Sequence, residues 1–342
     1  MKNVFTGILP DDPKIPHDLI SSLTSPGWDL VNRGGKRWRP LLMLLSCECI
    51  AGEDEAKSIL PLTPLVEFPH NASLIHDDIE DSADERRGKP AVHLIYGMDT
   101  AINSGTFMYF LPLACLSAWN NEYFAKGIKE KIWEIWALHM RALHLGQAMD
   151  IAWHRDFLSL PGLEEYDRMC RLKTGCLARL AAVLGVNLGA AVTEPALEIN
   201  SPTEKTVKNL SEKFGTAAEQ LGVGFQIIDD VKNLKTGVPG KKRGDDIVEG
   251  KKSLPVLMYL HRYPHKRDFA ALCFKSAKSL GTTAPEVEEL ISVMEEAGVL
   301  EEAAEQGLKY LSESKNLLSG LSGRKEGMDL LIGLIDSLAL GV

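Results

Sequence analysis

Cysteine is scarce in this 342-residue chain: there are six, at 47, 49, 115, 170, 176 and 273, and no two stand in a CxxC spacing. This excludes a dense disulfide framework and a cysteine-based zinc pattern, so the thiols are expected to be reduced and buried. Positive charge is also short, since 38 Lys and Arg against 47 Asp and Glu leave a net charge of −9. An acidic surface repels phosphate backbones, and no nucleic-acid partner is expected unless basic residues gather on one face. The opening residues, MKNVFTGILPDDPKIPHD, have neither the basic start nor the continuous apolar stretch of a signal peptide. Their aspartates speak against a transit sequence, and a cytoplasmic location is the expectation. Internal repeats and sustained alternation bounded by hairpin turns are missing. One uncharged run, Thr100 to Asn121, is long enough to cross a bilayer, but its polar start and internal proline predict a buried helix and no transmembrane segment.

What is present is a globular composition, 45% hydrophobic and 25% charged, with apolar residues at helical spacing. Val207, Leu210, Phe214, Ala217, Leu221 and Ile228 form one such stripe, and Val287, Leu290, Ile291 and Met294 another. Similar patterns fall at roughly 41–50, 60–82, 98–119, 128–155, 164–192 and 299–318. Thr283-Ala-Pro-Glu286 reads as a capping box with proline in the first turn. Turn signals at Gly88-Lys-Pro90, Gly237-Val-Pro-Gly240 and Tyr263-Pro264 are short. The expected fold is all-α, ten or more helices in a single domain over 1–342.

Two acidic clusters lie near the ends of apolar helical runs. In DDIED, Asp77 and Asp81 stack one turn apart with Asp78 beside them. Like charges crowded on one face need a cation, and Mg²⁺ is held by one or two carboxylates together with substrate phosphates and water. Taken alone, such a cluster is more often just a solvated acidic face. The second cluster shifts that balance, because Gln226, Asp229, Asp230 and Asn233 of GFQIIDDVKN again share a stripe, at the end of an apolar approach. Basic residues flank both clusters: Lys36, Arg37 and Arg39 in GGKRWRP, Arg86 and Arg87, Lys173 in KTG, then Lys241 and Lys251. Arginine forks and lysine point charges beside metal-binding carboxylates suit a polyanionic diphosphate.

The segments GGKRWRP, NASLIHDDIED, RRGKPAVH, GQAMD, KTG, GFQIIDD and DIVEGKKSLP resemble, in order and spacing, the motifs of the trans-isoprenyl diphosphate synthases, over about residues 30 to 260. INSGTFMYFLPL and HLGQAMDIAW are more specifically similar to geranylgeranyl diphosphate synthases. The resemblance implies a helical bundle around a central hydrophobic cavity, the type I isoprenoid synthase fold, and a homodimer that meets through the apolar surface at roughly 98–150. It implies three Mg²⁺ ions, with Asp77, Asp81 and Asp229 as principal ligands and Asp78 and Asp230 in support. Arg86, Lys173, Lys241 and Lys251 would hold an allylic diphosphate (dimethylallyl, geranyl or farnesyl). Lys36, Arg39, His70 and Arg87, with Arg37 adjacent, would hold isopentenyl diphosphate. Thr174 and Gln226 would face the allylic cation. Ala72 and Ser73, small where short-chain synthases carry aromatics, leave the product tunnel open, and Tyr109, Phe110 and His144 would close it at twenty carbons. Asn233 stands where many members carry a third aspartate, and Thr106 where an acid is common. A longer-chain synthase, a class I terpene cyclase and a non-catalytic subunit are the alternatives. The last two are disfavoured by retention of the isopentenyl residues and of both acidic motifs.

Overall fold

The computed structural model describes residues 16–119, 127–193, 202–237 and 242–339, a set that excludes Lys241 and most of the turn at 237–240. Helices dominate, as the apolar spacing requires. In chain order they are α1 (His17–Asn32), α2 (Trp38–Ile50), α3 (Glu53–Ser58), α4 (Pro64–Glu80), α5 (Val92–Tyr96), α6 (Met98–Ala118), α7 (Ile128–Arg155), α8 (Leu163–Cys170), α9 (Cys176–Thr193) and α10 (Pro202–Lys235). They continue as α11 (Asp245–Glu249), α12 (Leu254–Arg262), α13 (Arg267–Leu280), α14 (Pro285–Glu296), α15 (Val299–Ser319) and α16 (Lys325–Ala339). A π-helical turn, Arg171–Gly175, joins α8 to α9.

The chain divides into two compact units: Met1–Met140 with Leu180–Gly215 and Leu321–Leu331, and Arg141–Arg179 with Thr216–Gly320 and Ile332–Val342. In the first unit α4 packs against α6 and α1. The close approach of α9 to α2 depends on Gly185, where a Cβ would stand 2.2 Å from the Met43 carbonyl oxygen. In the second unit α12, α13 and α14 bury Val256, Leu260, Phe274, Val287, Leu290 and Ile291. The six cysteines are free thiols and all are buried. Two helical stretches are long and apolar enough to cross a membrane: in Met98–Ala118, 56% of the apolar window is buried, and in Leu163–Thr193, 89%. The second is a core helix by that measure, and the first is half covered.

One local reading of the sequence is corrected. Thr283 is not the cap of α14: Pro285 holds the residue before it extended, so Ala284 (φ −61°, ψ 127°) takes the cap position. The Thr283 hydroxyl bonds back to the Leu280 carbonyl oxygen at 3.1 Å, and no capping box forms. The helix α4 begins at Pro64 and carries Pro69 inside it. The all-α chain also contains one small ribbon, in which Glu85–Arg86 pairs antiparallel with Lys89–Pro90. Arg87 and Gly88 make its turn with φ of 55° and 74°, the paired positive values that match strand twist in a two-residue hairpin.

Candidate active site

In the first unit the site residues gather around α4. Asp77 and Asp78 lie in its last turn and Asp81 caps it, the Asp81 amide donating to the Asp77 carbonyl oxygen at 2.8 Å. Acids at a helix C-terminus meet its negative dipole end, and this last turn has no basic residue of its own. The ribbon supplies a cation: the Arg86 guanidinium donates through Nε to Asp78 Oδ1 at 2.7 Å and lies 3.9 Å from Asp77. Asp78 is fully buried under this contact. One residue further, Arg87 donates to the Leu30 carbonyl oxygen (2.9 Å) and to Asn71 Oδ1 (3.1 Å). The hairpin thus turns consecutive arginines to different tasks.

A second basic group lies beside it. Arg39, buried, stacks over the Trp38 ring at 4.4 Å and reaches His70 Nε2 at 3.5 Å. Burial, with Arg39, Arg87 and Arg86 nearby, holds His70 well below the usual imidazole range, against the opposing pull of Asp77. His70 is therefore neutral at neutral pH. Arg37 is exposed, in a left-handed conformation (φ 48°) at the start of α2, and donates to the Val31 carbonyl oxygen at 2.8 Å. Lys36 is exposed as well. Of the chain-length candidates, Ala72 is buried and Ser73 is half-buried, bonded to the His70 carbonyl oxygen. Tyr109 is buried and stacks on His76 with ring centroids 5.8 Å apart. Phe110 is 61% exposed, and His144, in the second unit, is exposed too.

In the second unit the site residues gather around the π-turn and α10. Lys173 and Thr174 sit on the turn, where α7 and α10 come close through glycines. A Cβ on Gly146 would meet the Lys173 amide nitrogen at 2.4 Å, and one on Gly222 would meet the Gly175 Cα at 2.7 Å. Lys173 Nζ pairs with the buried Asp150 at 2.6 Å. Thr174 donates to Gln226 Oε1 (2.8 Å), Gln226 Nε2 donates to Asp230 Oδ1 (2.7 Å), and the Tyr166 hydroxyl donates to Asp230 Oδ2 (3.0 Å). Asp229 is half-buried. Asn233, where a third acid was weighed, is a loop anchor: its oxygen accepts the Asp246 amide (3.1 Å) and its NH₂ donates to the Lys242 carbonyl oxygen (3.2 Å). That anchor brings Asp246 to the group, and Lys251 pairs with Glu249 and lies 4.0 Å from Asp246. Asp150, Tyr166 and Asp246 escaped the sequence reading. Asp150 and Asp246 had a visible signal, the final aspartate of GQAMD and the first of DIVEGKKSLP, whereas Tyr166 had none.

The donor set fits magnesium, the group the resemblance implies. It is made of carboxylate oxygens, and among the described residues no three His, Cys, Asp or Glu side chains converge as a ready-made cage. A hard cation completed by phosphate and water asks for no more than one or two carboxylates. Asp230 is pushed up to about 8 by burial and by the Asp246 and Asp229 carboxylates, against hydrogen bonds from Gln226 and Tyr166. A bound cation would relieve that crowding.

Paired aspartates on helices, with arginines and lysines presented by a ribbon, a π-turn and a loop, define a class: helical proteins of the type I isoprenoid synthase fold. Within that class the chain belongs to the polyprenyl synthetase family, whose model matches residues 20–293. The geranylgeranyl diphosphate synthase of Methanosarcina mazei is 32% identical over 296 residues, 85% of this chain and 82% of that protein. The geranylfarnesyl diphosphate synthase of Aeropyrum pernix is 28% identical over 92% of this chain and 93% of its own. The geranylgeranyl pyrophosphate synthase paxG of Penicillium paxilli is 36% identical over 60% of this chain, which spans about half, 48%, of that longer protein. Among solved structures, geranylgeranyl pyrophosphate synthetase from Pyrococcus horikoshii superposes with a TM-score of 0.77 at 26% identity, covering 99% of this chain and 94% of that one.

Proposed function

We propose that the chain is a trans-prenyltransferase that joins isopentenyl diphosphate head-to-tail to an allylic diphosphate, with geranylgeranyl diphosphate as main product. The observation that carries this reading is the separation of two basic groups around α4. Arg86 serves the aspartates, whereas Arg39, neutral His70 and Arg87 form a distinct cluster suited to a second diphosphate. A cyclase has no use for that second cluster. The family match, 20–293, includes segments of both compact units and supports reading 1–342 as one synthase domain.

Asp77, Asp81 and Asp229 would hold magnesium, in three ions by the resemblance, with Asp78 and Asp230 supporting. When bound with substrate, magnesium neutralises the charge that develops on the departing diphosphate. Arg86, Lys173 and Lys251 bind the allylic diphosphate, and Lys241 joins them by resemblance. Their charges favour ionisation of the carbon–oxygen bond. The isopentenyl double bond attacks the allylic carbon, and a proton leaves to the diphosphate to close the reaction. Thr174 and Gln226 face the cation. Ala72 and Ser73 leave room for a chain beyond fifteen carbons, and Tyr109 on His76 is the floor; exposed Phe110 and His144 are weaker candidates. A product of twenty-five carbons is the second reading, favoured by similarity to the Aeropyrum pernix synthase. A homodimer through 98–150 is supported by the exposed Met98, Ile102, Phe110, Trp133 and Leu138. A cytoplasmic site agrees with the burial of Leu163–Thr193.

The test is purified protein with Mg²⁺, labelled isopentenyl diphosphate and each allylic primer, with products sized by chromatography. Incorporation and a twenty-carbon product are expected; no incorporation with any primer would refute the proposal. Asp77→Ala should lower turnover at least ~10³-fold while the helical circular dichroism is retained, because charge stabilisation in the transition state supplies several kcal/mol.

A further inference from the structure

The polar chain of the second unit has a direction. Asp230 ends it, and in the metal-loaded protein, where a cation holds it ionised, it can only accept. Its two oxygens take hydrogens from Tyr166 and from Gln226. The Gln226 amide is thereby oriented, since reversing it would set its carbonyl oxygen against a carboxylate oxygen 2.7 Å away. With its NH₂ turned to Asp230, Gln226 offers its carbonyl oxygen to Thr174, and the Thr174 hydroxyl spends its single hydrogen there. A hydroxyl has one hydrogen and two lone pairs. Thr174 is left with lone pairs alone for any ligand, which repel a phosphate oxygen and attract a positive carbon.

Tyr166 stands at the far end of this chain, 2% exposed, on the same short helix that leads into the π-turn bearing Thr174. Without its hydroxyl, Asp230 Oδ2 would lose this donor in a buried place, and the Gln226 amide would become the carboxylate's remaining side-chain donor in the chain. The amide could then be shared between the two oxygens, and its carbonyl oxygen drawn off Thr174. We propose that Tyr166 is a positioning residue for the reaction: by holding Asp230 in register it fixes the direction of the Thr174 hydroxyl, making that group selective for a cationic carbon. The inference rests on the prenyl-transfer reading given above and deepens it.

The test separates charge selectivity from general binding. Tyr166→Phe, which removes only the hydroxyl, is titrated in the presence of Mg²⁺ with two unreactive ligands. One is an allylic diphosphate analogue carrying an ammonium at the position that becomes cationic; the other is the neutral thiolodiphosphate. Affinity for the ammonium analogue should fall roughly tenfold, the size of one hydrogen bond to a charged group, with the thiolodiphosphate changed by less than about twofold. Thr174→Val should show the same selective loss, and Tyr166→Phe/Thr174→Val should lose no more than Thr174→Val alone, since both act through one chain. Should Tyr166→Phe fail to fold, Gln226→Met cuts the same chain at its centre and should give the same selectivity. Equal losses for both ligands, no loss, or losses that multiply in the double variant would overturn the role of Tyr166. Wild-type protein that elongates a primer while Tyr166→Phe stays unselective sinks this inference alone. Failure of the wild type to incorporate isopentenyl diphosphate, with selective ammonium binding intact, sinks the elongation reading and leaves the directed chain standing.

Discussion

Lys252 has surroundings that its chemistry disfavours. The side chain is 2% exposed, its amine lies 4.0 Å from the centre of the Phe274 ring, and its hydrogen-bond acceptor is the Gly250 carbonyl oxygen at 3.4 Å. Burial lowers the ammonium to about 8, with Arg267 adding to the fall and Asp156 opposing it. Between pH 8 and the ordinary lysine value of 10.5 the unfolded chain holds a proton that the folded chain has released, so stability rises with pH across that window. Below pH 8 both states are charged and the folded one carries the full penalty. Lys252→Met should therefore stabilise the protein at pH 7 by about 1–3 kcal/mol, the Phe274 contact offsetting part of the gain, and the advantage should shrink towards pH 10.5. Denaturant midpoints of both proteins across this range decide it, and parallel pH profiles would count against the buried charge. Arg87 makes a second prediction at this scale. Because it sits with Asn71 and Leu30 rather than with the aspartates, Arg87→Ala should raise the Michaelis constant for isopentenyl diphosphate by about tenfold or more and leave that for the allylic partner nearly unchanged. Steady-state kinetics with each substrate varied in turn would reveal the opposite pattern if the two basic groups were misassigned.

At the scale of elements, the π-turn is held from two sides by residues without side chains. A methyl at Gly146 would collide with backbone at Lys173 that has no flexible end to yield. Gly146→Ala should cost about 2 kcal/mol or more and displace Lys173, lowering turnover beyond what the lost stability explains. Gly333, exposed in α16 with nothing within 4 Å of the added atom, is the control, and Gly333→Ala should gain about 1 kcal/mol from helix propensity. Thermal unfolding and kinetics of both variants test the pair. The sequence made some of this legible: α6 and α7 fall at 98–118 and 128–155, as their apolar spacing required. Both aspartate stripes were readable because like charges at helical spacing have few purposes. The π-turn was not, since it differs from the α-helix by one shifted hydrogen bond and leaves the apolar pattern running straight from Leu163 to Thr193. Nor was Tyr166 readable, because its partner Asp230 lies 64 residues away and one buried tyrosine in a sequence looks like core. The Thr283 cap failed because a proline two residues on outweighed a side-chain hydrogen bond.

For the molecule as a whole, the surface around α6 and α7 carries large apolar groups that a solitary chain would leave wet, Phe110 and Trp133 among them. A dimer would cover them. In sedimentation equilibrium the protein should run at twice its 37.6 kDa, and Phe110→Asp should shift it towards the single-chain mass. A monomeric wild type at micromolar concentration would remove that assignment.

The cysteines, unremarkable as packing, give the protein a built-in clock. All six are buried, and burial pushes Cys47, Cys49 and Cys273 up to about 12 and Cys115 to about 11, far from the thiolate that alkylating reagents attack. Cys170 is raised as well, mainly by burial and then by Asp230. In the folded protein each thiol is silent, and modification must wait for a local opening. Mass spectrometry of the order in which they become labelled would therefore chart which segments open first. Cys170, one turn along α8 from Tyr166, would time the opening of the chemistry itself.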